Sequence, residues 1–164
     1  MKVALYIGNH QADSLSVRLG HWVTRAVQKG PFADVTHVEA IHDEYPDGSV
    51  NIVSSSLRDG GVRAKRVMLT PDYWTIVDVP LWDVAKSKAL FAETAGQGYD
   101  LRGAVATVFI GSAEYGRWFC NEWVAAPYLQ APATFGPNQF AAVSLSLGRD
   151  ATIDFFKSRD GASA

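Results

Sequence analysis

Three turn signals at short spacing constrain this chain more than any other feature. Tyr45-Pro46-Asp47-Gly48, Asp59-Gly60-Gly61 and Thr70-Pro71-Asp72 each join residues that preset or permit turn geometry. Around them lie short β-prone runs, Val35 to Ile41, Val50 to Leu57, Val62 to Leu69 and Tyr73 to Val79. Such spacing predicts a meander of three or four antiparallel strands. In the first run the period is two. Val35, His37, Glu39 and Ile41 alternate with Thr36, Val38 and Ala40, which gives one polar-leaning face. With the turn centred near Pro46 and Asp47, Ser54 and Ser56 are expected across from the neighbourhood of His37.

The remaining segments supply helices. Val3 to Ile7 reads as a first strand ended by Gly8-Asn9. Asp13 is placed to cap a helix with Leu15, Leu19, Trp22, Val23 and Ala26 on one face, ended by Gly30-Pro31. Asp83 is placed to cap another through about Ala95, with Val84, Leu90 and Phe91 apolar and two lysines outward. Gly96-Gln97-Gly98 breaks the chain. Ala104 to Ile110 is continuously apolar and reads as buried helix, with strand as the alternative. Pro127, Pro132 and Pro137 mark turns; Val143 to Leu147 and Ile153 to Phe156 suit either element; Ser158 to Ala164 is expected to fray. The expected architecture is α+β, an antiparallel sheet or small barrel packed against helices, in one domain over residues 1–164.

Bulk properties narrow the function. A hydrophobic fraction of 48% and a charged fraction of 20% are ordinary for a globular protein in water. A net charge of −2 offers no global attraction to nucleic acid or an anionic membrane. The basic cluster Arg58, Arg63, Lys65 and Arg66 lacks interleaved aromatics and reads as a solvated face, so no nucleic-acid partner is expected. The apolar run at the N-terminus is too short for a signal-peptide core, and no run is long enough to cross a bilayer. A cytoplasmic location is the expectation. A single cysteine excludes an internal disulfide and a multi-cysteine zinc site.

That cysteine lies in Arg117-Trp118-Phe119-Cys120-Asn121-Glu122-Trp123-Val124-Ala125-Ala126. If Trp118 and Phe119 open a helix, Cys120 sits in its first turn, where unpaired N–H groups and the helix dipole favour a thiolate. The plainer reading of a lone cysteine is a small buried hydrophobe. A nucleophile needs a base within hydrogen-bond reach and a group to orient that base. Of four histidines, His10 is in an expected turn, His21 in an expected helix beside its apolar stripe, and His42 near the hairpin tip, where mobility is expected. His37 alone is mid-strand, with its direction fixed by the pleat.

Four segments carry a family likeness. Thr36-His37-Val38-Glu39, Ser55-Ser56-Leu57-Arg58-Asp59-Gly60-Gly61-Val62-Arg63, Tyr99-Asp100-Leu101-Arg102-Gly103-Ala104 and Trp118-Phe119-Cys120-Asn121-Glu122 resemble the circularly permuted NlpC-like, papain-fold cysteine hydrolases. The likeness is to their short phage and prophage forms, with histidine before cysteine as permutation requires. It implies Cys120 as nucleophile and His37 as general base. Tyr99 is similar to a tyrosine beside the site that helps hold the oxyanion. The third residue is less defined. Where family members often carry a carboxylate, on the strand after His37, this chain has Ser54 or Ser56 nearby; Glu39, on the face of His37, is the other candidate. The family more often shows Cys-Ser-Glu where this chain has Cys120-Asn121-Glu122.

The implied activity is cleavage of an amide, such as a peptidoglycan peptide bond, through a thioester on Cys120, with no metal or organic cofactor. Relatives acting on lipids make an acyl ester, or acyl transfer, the alternative. A catalytically weak binding module is a further reading, with Trp74, Trp82, Trp118 and Trp123 lining a groove. Plainer readings also stand for Glu39 (a solvated charge), Glu122 (a dipole-favoured helix residue) and Tyr99 (a core aromatic).

Overall fold

In the computed structural model, which describes residues 1–7, 32, 34–101, 116–130 and 136–160, the first two turn signals close hairpins and the third does not. In chain order the elements are β1 (Lys2–Tyr6), β2 (His37–Glu44), β3 (Val50–Ser56), β4 (Gly61–Val67), β5 (Trp74–Asp78), α1 (Val84–Thr94), β6 (Gly98–Tyr99), β7 (Arg117–Trp118), α2 (Cys120–Ala125), α3 (Pro137–Leu147), β8 (Arg149–Asp150) and α4 (Thr152–Asp160). The fold is α+β, a curled mixed sheet packed against helices. The expected helix after Asp13, with His10, His21 and Gly30-Pro31, lies outside the described residues, as do Ala104 to Ile110, Pro132 and the last residues from 161 on.

The strands form one sheet in the order β7-β6-β4-β3-β2-β1-β5-β8. All pairings are antiparallel except β6 with β7. The β2-β3-β4 meander is as expected, and the fourth strand departs from it. β5 crosses to pair with β1, Val3 opposite Val77 and Ala4 opposite Ile76. The physical reason lies in β1, which buries Val3 and Leu5 toward one layer and Ala4 toward the other and so belongs inside a sheet. β5 supplies its second neighbour.

Alternation divides the strands between two apolar layers. Val3, Leu5, Val38, Ala40, Val53 and Val77 join Trp123 and Val124 of α2 and Phe140 of α3. Ala4, Ile41, Val50, Ile52 and Ile76 meet Phe155 of α4 on the other side. Asp83 caps α1, accepting from the Ala85 N–H at 2.8 Å. Pro137, read from sequence as a turn, is instead the first residue of α3, where its missing N–H costs nothing. The run after it and the run around Ile153 both resolve as helix. No helix among the described residues is long and apolar enough to cross a membrane.

Two expectations are corrected by burial. Trp82 and Trp123 are core residues, so they do not line a groove. His42 does not lie at an exposed tip. It is buried beside Trp123, its Nε2 2.8 Å from Ser87 Oγ. Burial, with Lys88 adding, pulls its imidazole down to about 4 from 6.5. The unfolded chain therefore takes up a proton at His42 that the folded chain refuses between those values. Stability should fall as pH drops through that window, by up to about 1.4 kcal/mol per pH unit. Urea denaturation at several pH values checks this. His42→Gln should flatten the slope, and parallel slopes would contradict a neutral His42.

Gly61 carries a local constraint that bears on the site. Its φ is +154°, and a Cβ there would stand 1.9 Å from the Gln97 carbonyl oxygen. This close approach lets the Val62 N–H reach Gln97 O at 2.9 Å and the Tyr99 N–H reach Gly60 O at 3.0 Å. Gly61→Ala should push β6 off β4 and cost about 1–3 kcal/mol, read by thermal melting. A wild-type melt would show that the edge tolerates the side chain.

Candidate active site

Cys120 is the first residue of α2, after Phe119 in an extended conformation. The segment before it is pinned on three sides. Trp118 O accepts from Ser55 Oγ at 2.6 Å and from the Asp100 N–H at 2.9 Å, and Trp118 Nε1 donates to Gln97 at 2.6 Å. Phe119 has no side-chain oxygen for capping, so Glu122 does the work from inside the helix, accepting the Phe119 N–H at 3.3 Å. Trp123 anchors the next turn, its Nε1 donating to Thr94 Oγ1 of α1 at 2.9 Å. A first-turn N–H has no acceptor within its own helix, and the Cys120 N–H is one of these.

His37 opens β2, opposite Tyr6 of β1. Its Nε2 lies 2.7 Å from Glu39 Oε1. The period of two puts these side chains on one side of the strand, as the alternation had indicated. Cys120 lies close enough to raise the His37 imidazole, while its own Sγ lies 3.6 Å from Asn121 Oδ1. With Nε2 taken by Glu39, Nδ1 is the nitrogen left for the sulfur. The imidazole is 18% exposed and Glu39 fully buried; Cys120 is 4% exposed. Solvent thus meets the group at the histidine.

Electrostatics favour a protonated His37 beside an ionised Glu39. Burial pushes the His37 imidazole down, but the Glu39 charge, then the Cys120 charge and the hydrogen bond to Glu39, push it up to about 9. Burial pushes Glu39 up, and His37 and Arg63 outweigh it, leaving the carboxyl below its ordinary value.

The other candidates fall into place around this pair. Ser54 is buried, and its hydroxyl contacts Ser55 O at 3.3 Å and Cys120 O at 3.5 Å; the contact to the imidazole comes from Glu39. Ser56 donates to Asp59. Tyr99 sits beside Trp118 in register, and its phenol is raised well above its usual value, by burial first and then by Cys120 and Asp100, so it stays a donor. Glu122 is pushed up to about 7 by burial, with Asp100 adding.

The chain matches no family model, no curated protein and no solved structure. The likeness to permuted NlpC-like hydrolases therefore rests on its motifs alone.

One residue at this site escaped the sequence reading. Arg63 grips Glu39 with both terminal nitrogens, Nη1 to Oε2 at 2.7 Å and Nη2 to Oε1 at 2.5 Å, and turns Nε to Asp59 at 2.8 Å. Lys65 also pairs with Asp59, and Arg66 with Asp47 and the Tyr45 ring. Lys65 and Arg66 stay on a solvated face, as expected, and Arg63 alone of the cluster turns inward to Glu39. Strand register was the available signal, because it brings Ser54 opposite Arg63.

Proposed function

We propose that this protein is a cysteine hydrolase of the permuted papain-like kind, cleaving an amide or ester through a thioester on Cys120. The observation that carries the reading is the row Cys120, His37, Glu39, in which the imidazole is bonded to a fully buried carboxylate at 2.7 Å and lies within the influence of the cysteine. A buried structural cysteine needs no imidazole, and a structural imidazole needs no fully buried carboxylate behind it.

The steps follow from the groups present. His37 holds the cysteine proton, and the sulfur attacks the acyl carbon, forming an S–C bond. The Cys120 N–H and the Tyr99 hydroxyl stand near the developing oxyanion. As the C–N or C–O bond breaks, the imidazolium passes its proton to the leaving group. Water then attacks the thioester while His37 Nδ1 takes a proton from it; the S–C bond breaks and the proton pair with sulfur is restored. Glu39 accepts from Nε2–H throughout, which keeps Nδ1 as the base.

A peptidoglycan peptide amide is the first substrate class and an acyl ester the second. Incubation with peptidoglycan fragments and with long-chain acyl esters, followed by acid quench and peptide mass analysis, tests the reading. An acyl adduct confined to Cys120 is expected with one class. No adduct and no product from either class would favour a binding module instead.

A further inference from the structure

We propose that Arg63 is the positioning residue of the His37–Glu39 pair, and that Ser54 is small so that the Arg63 guanidinium can pass over it to reach Glu39. The inference rests on the hydrolase reading and adds to it the device that keeps Glu39 an acceptor.

The geometry is a row across three strands. Ala40 of β2 faces Val53 of β3, so continuing that register by one residue brings Glu39 level with Ser54. Ser54 in turn faces Arg63 of β4. Side chains level with one another in a sheet share a face. To reach Glu39, two strands away, the arginine must cross the Ser54 position, and on the way its Nη1 lies 3.4 Å from Ser54 O. A side chain larger than serine would occupy that path. Behind Arg63 the charges continue to alternate, through Asp59 to Lys65 at the surface, with Ser56 also holding Asp59.

A second cation is required by the reaction itself. While His37 is an imidazolium, its own charge compensates Glu39. When that proton leaves with the amine, Glu39 would face a neutral ring from a fully buried position, where an unpaired carboxylate is costly. It would then take up a proton and donate to Nε2. The ring would have to carry its proton on Nδ1, the wrong nitrogen for accepting one from water. The bidentate arginine prevents this by holding both carboxylate oxygens in their ionised form. The other titratable groups around the pair are Tyr6 on β1, Tyr99 and Asp100 at β6, and Glu122 on α2. All are phenols or acids. Among the described residues the cations at the pair are therefore His37 and Arg63, with Lys65 behind Asp59.

Alkylation of the full-length protein by iodoacetamide between pH 5 and 10, with Cys120 adducts counted by mass, tests this without knowledge of the substrate. Thermal melting accompanies each variant. Removing a cation beside an anionic pair makes a third anion harder to form. In R63M the acid limb should therefore move up by roughly one pH unit or more, with about tenfold slower labelling on that limb. R63K keeps the charge without the fork and should recover part of the limb. S54L, which blocks the path and leaves Arg63 in the chain, should resemble R63M. Folded R63M and S54L with wild-type profiles would overturn the proposal. If R63M does not fold, R63K and S54L decide together: shifted limbs support it and wild-type limbs overturn it. A wild-type protein labelled only as a free cysteine is, with a midpoint near about 8.5, would instead sink the hydrolase reading itself.

Discussion

Cys120→Ala is expected to lose at least about 10⁴-fold in turnover of any acyl substrate the protein cleaves, while substrate binding survives. The size follows from the reaction. Without sulfur there is no thioester, and the remaining donors offer only binding and oxyanion stabilisation. The substitution should leave the fold intact, because Cys120 contributes a small side chain to α2 while Trp123 and Val124 carry the packing. It should also move His37. The cysteine is one of the groups that raise the imidazole, so C120A should titrate at lower pH than the wild type. Residual turnover within about tenfold of wild type would remove Cys120 from the chemistry.

Glu39→Gln should be the next most damaging change, on the order of 10²–10⁴-fold in kcat with a smaller effect on KM. The amide keeps the shape and loses the charge, so His37 loses the largest of its raising influences. The sign is clear. A histidine whose folded value is about 9, against 6.5 in the unfolded chain, gives stability that is full below 6.5 and lost as pH rises through 9. In E39Q that contribution should shrink, so the variant loses most stability relative to wild type in the acid part of this range. Leaving Arg63 with Asp59 as its remaining carboxylate adds a cost, at or below the roughly 3–5 kcal/mol of a broken buried pair. Ser54→Ala, which removes a hydroxyl bonded to backbone oxygens, should cost less than E39Q. The reverse order would make Ser54 the orienting residue.

Much of this arrangement was legible in local chemistry. Turn residues fixed the β2-β3-β4 meander, and a period of two put His37 and Glu39 on one side of β2. The place of Cys120 in the first turn of α2 was readable, although the aromatic pair expected to open the helix lies before it, Trp118 in β7 and Phe119 extended. What was not legible depended on distant partners. Nothing in Trp74 to Asp78 says that it pairs with β1 instead of β4; that choice is made by the need of β1 for a second neighbour. His42 reads as a hairpin-tip residue until α1 brings Ser87 over it. Arg63 looks like one cation in a basic run, and only the register across β3 shows where its guanidinium goes.

The central claim is that His37 stands protonated between Cys120 and Glu39, and nitrogen NMR titration of the histidines tests it most directly. Wild type should show His37 protonated through neutrality with a midpoint near 9, while His42, five positions along the same strand, stays neutral down to about 4. C120A should lower the first midpoint and leave the second in place. A His37 that titrates near 6.5 in both proteins would contradict that claim, and with it the hydrolase.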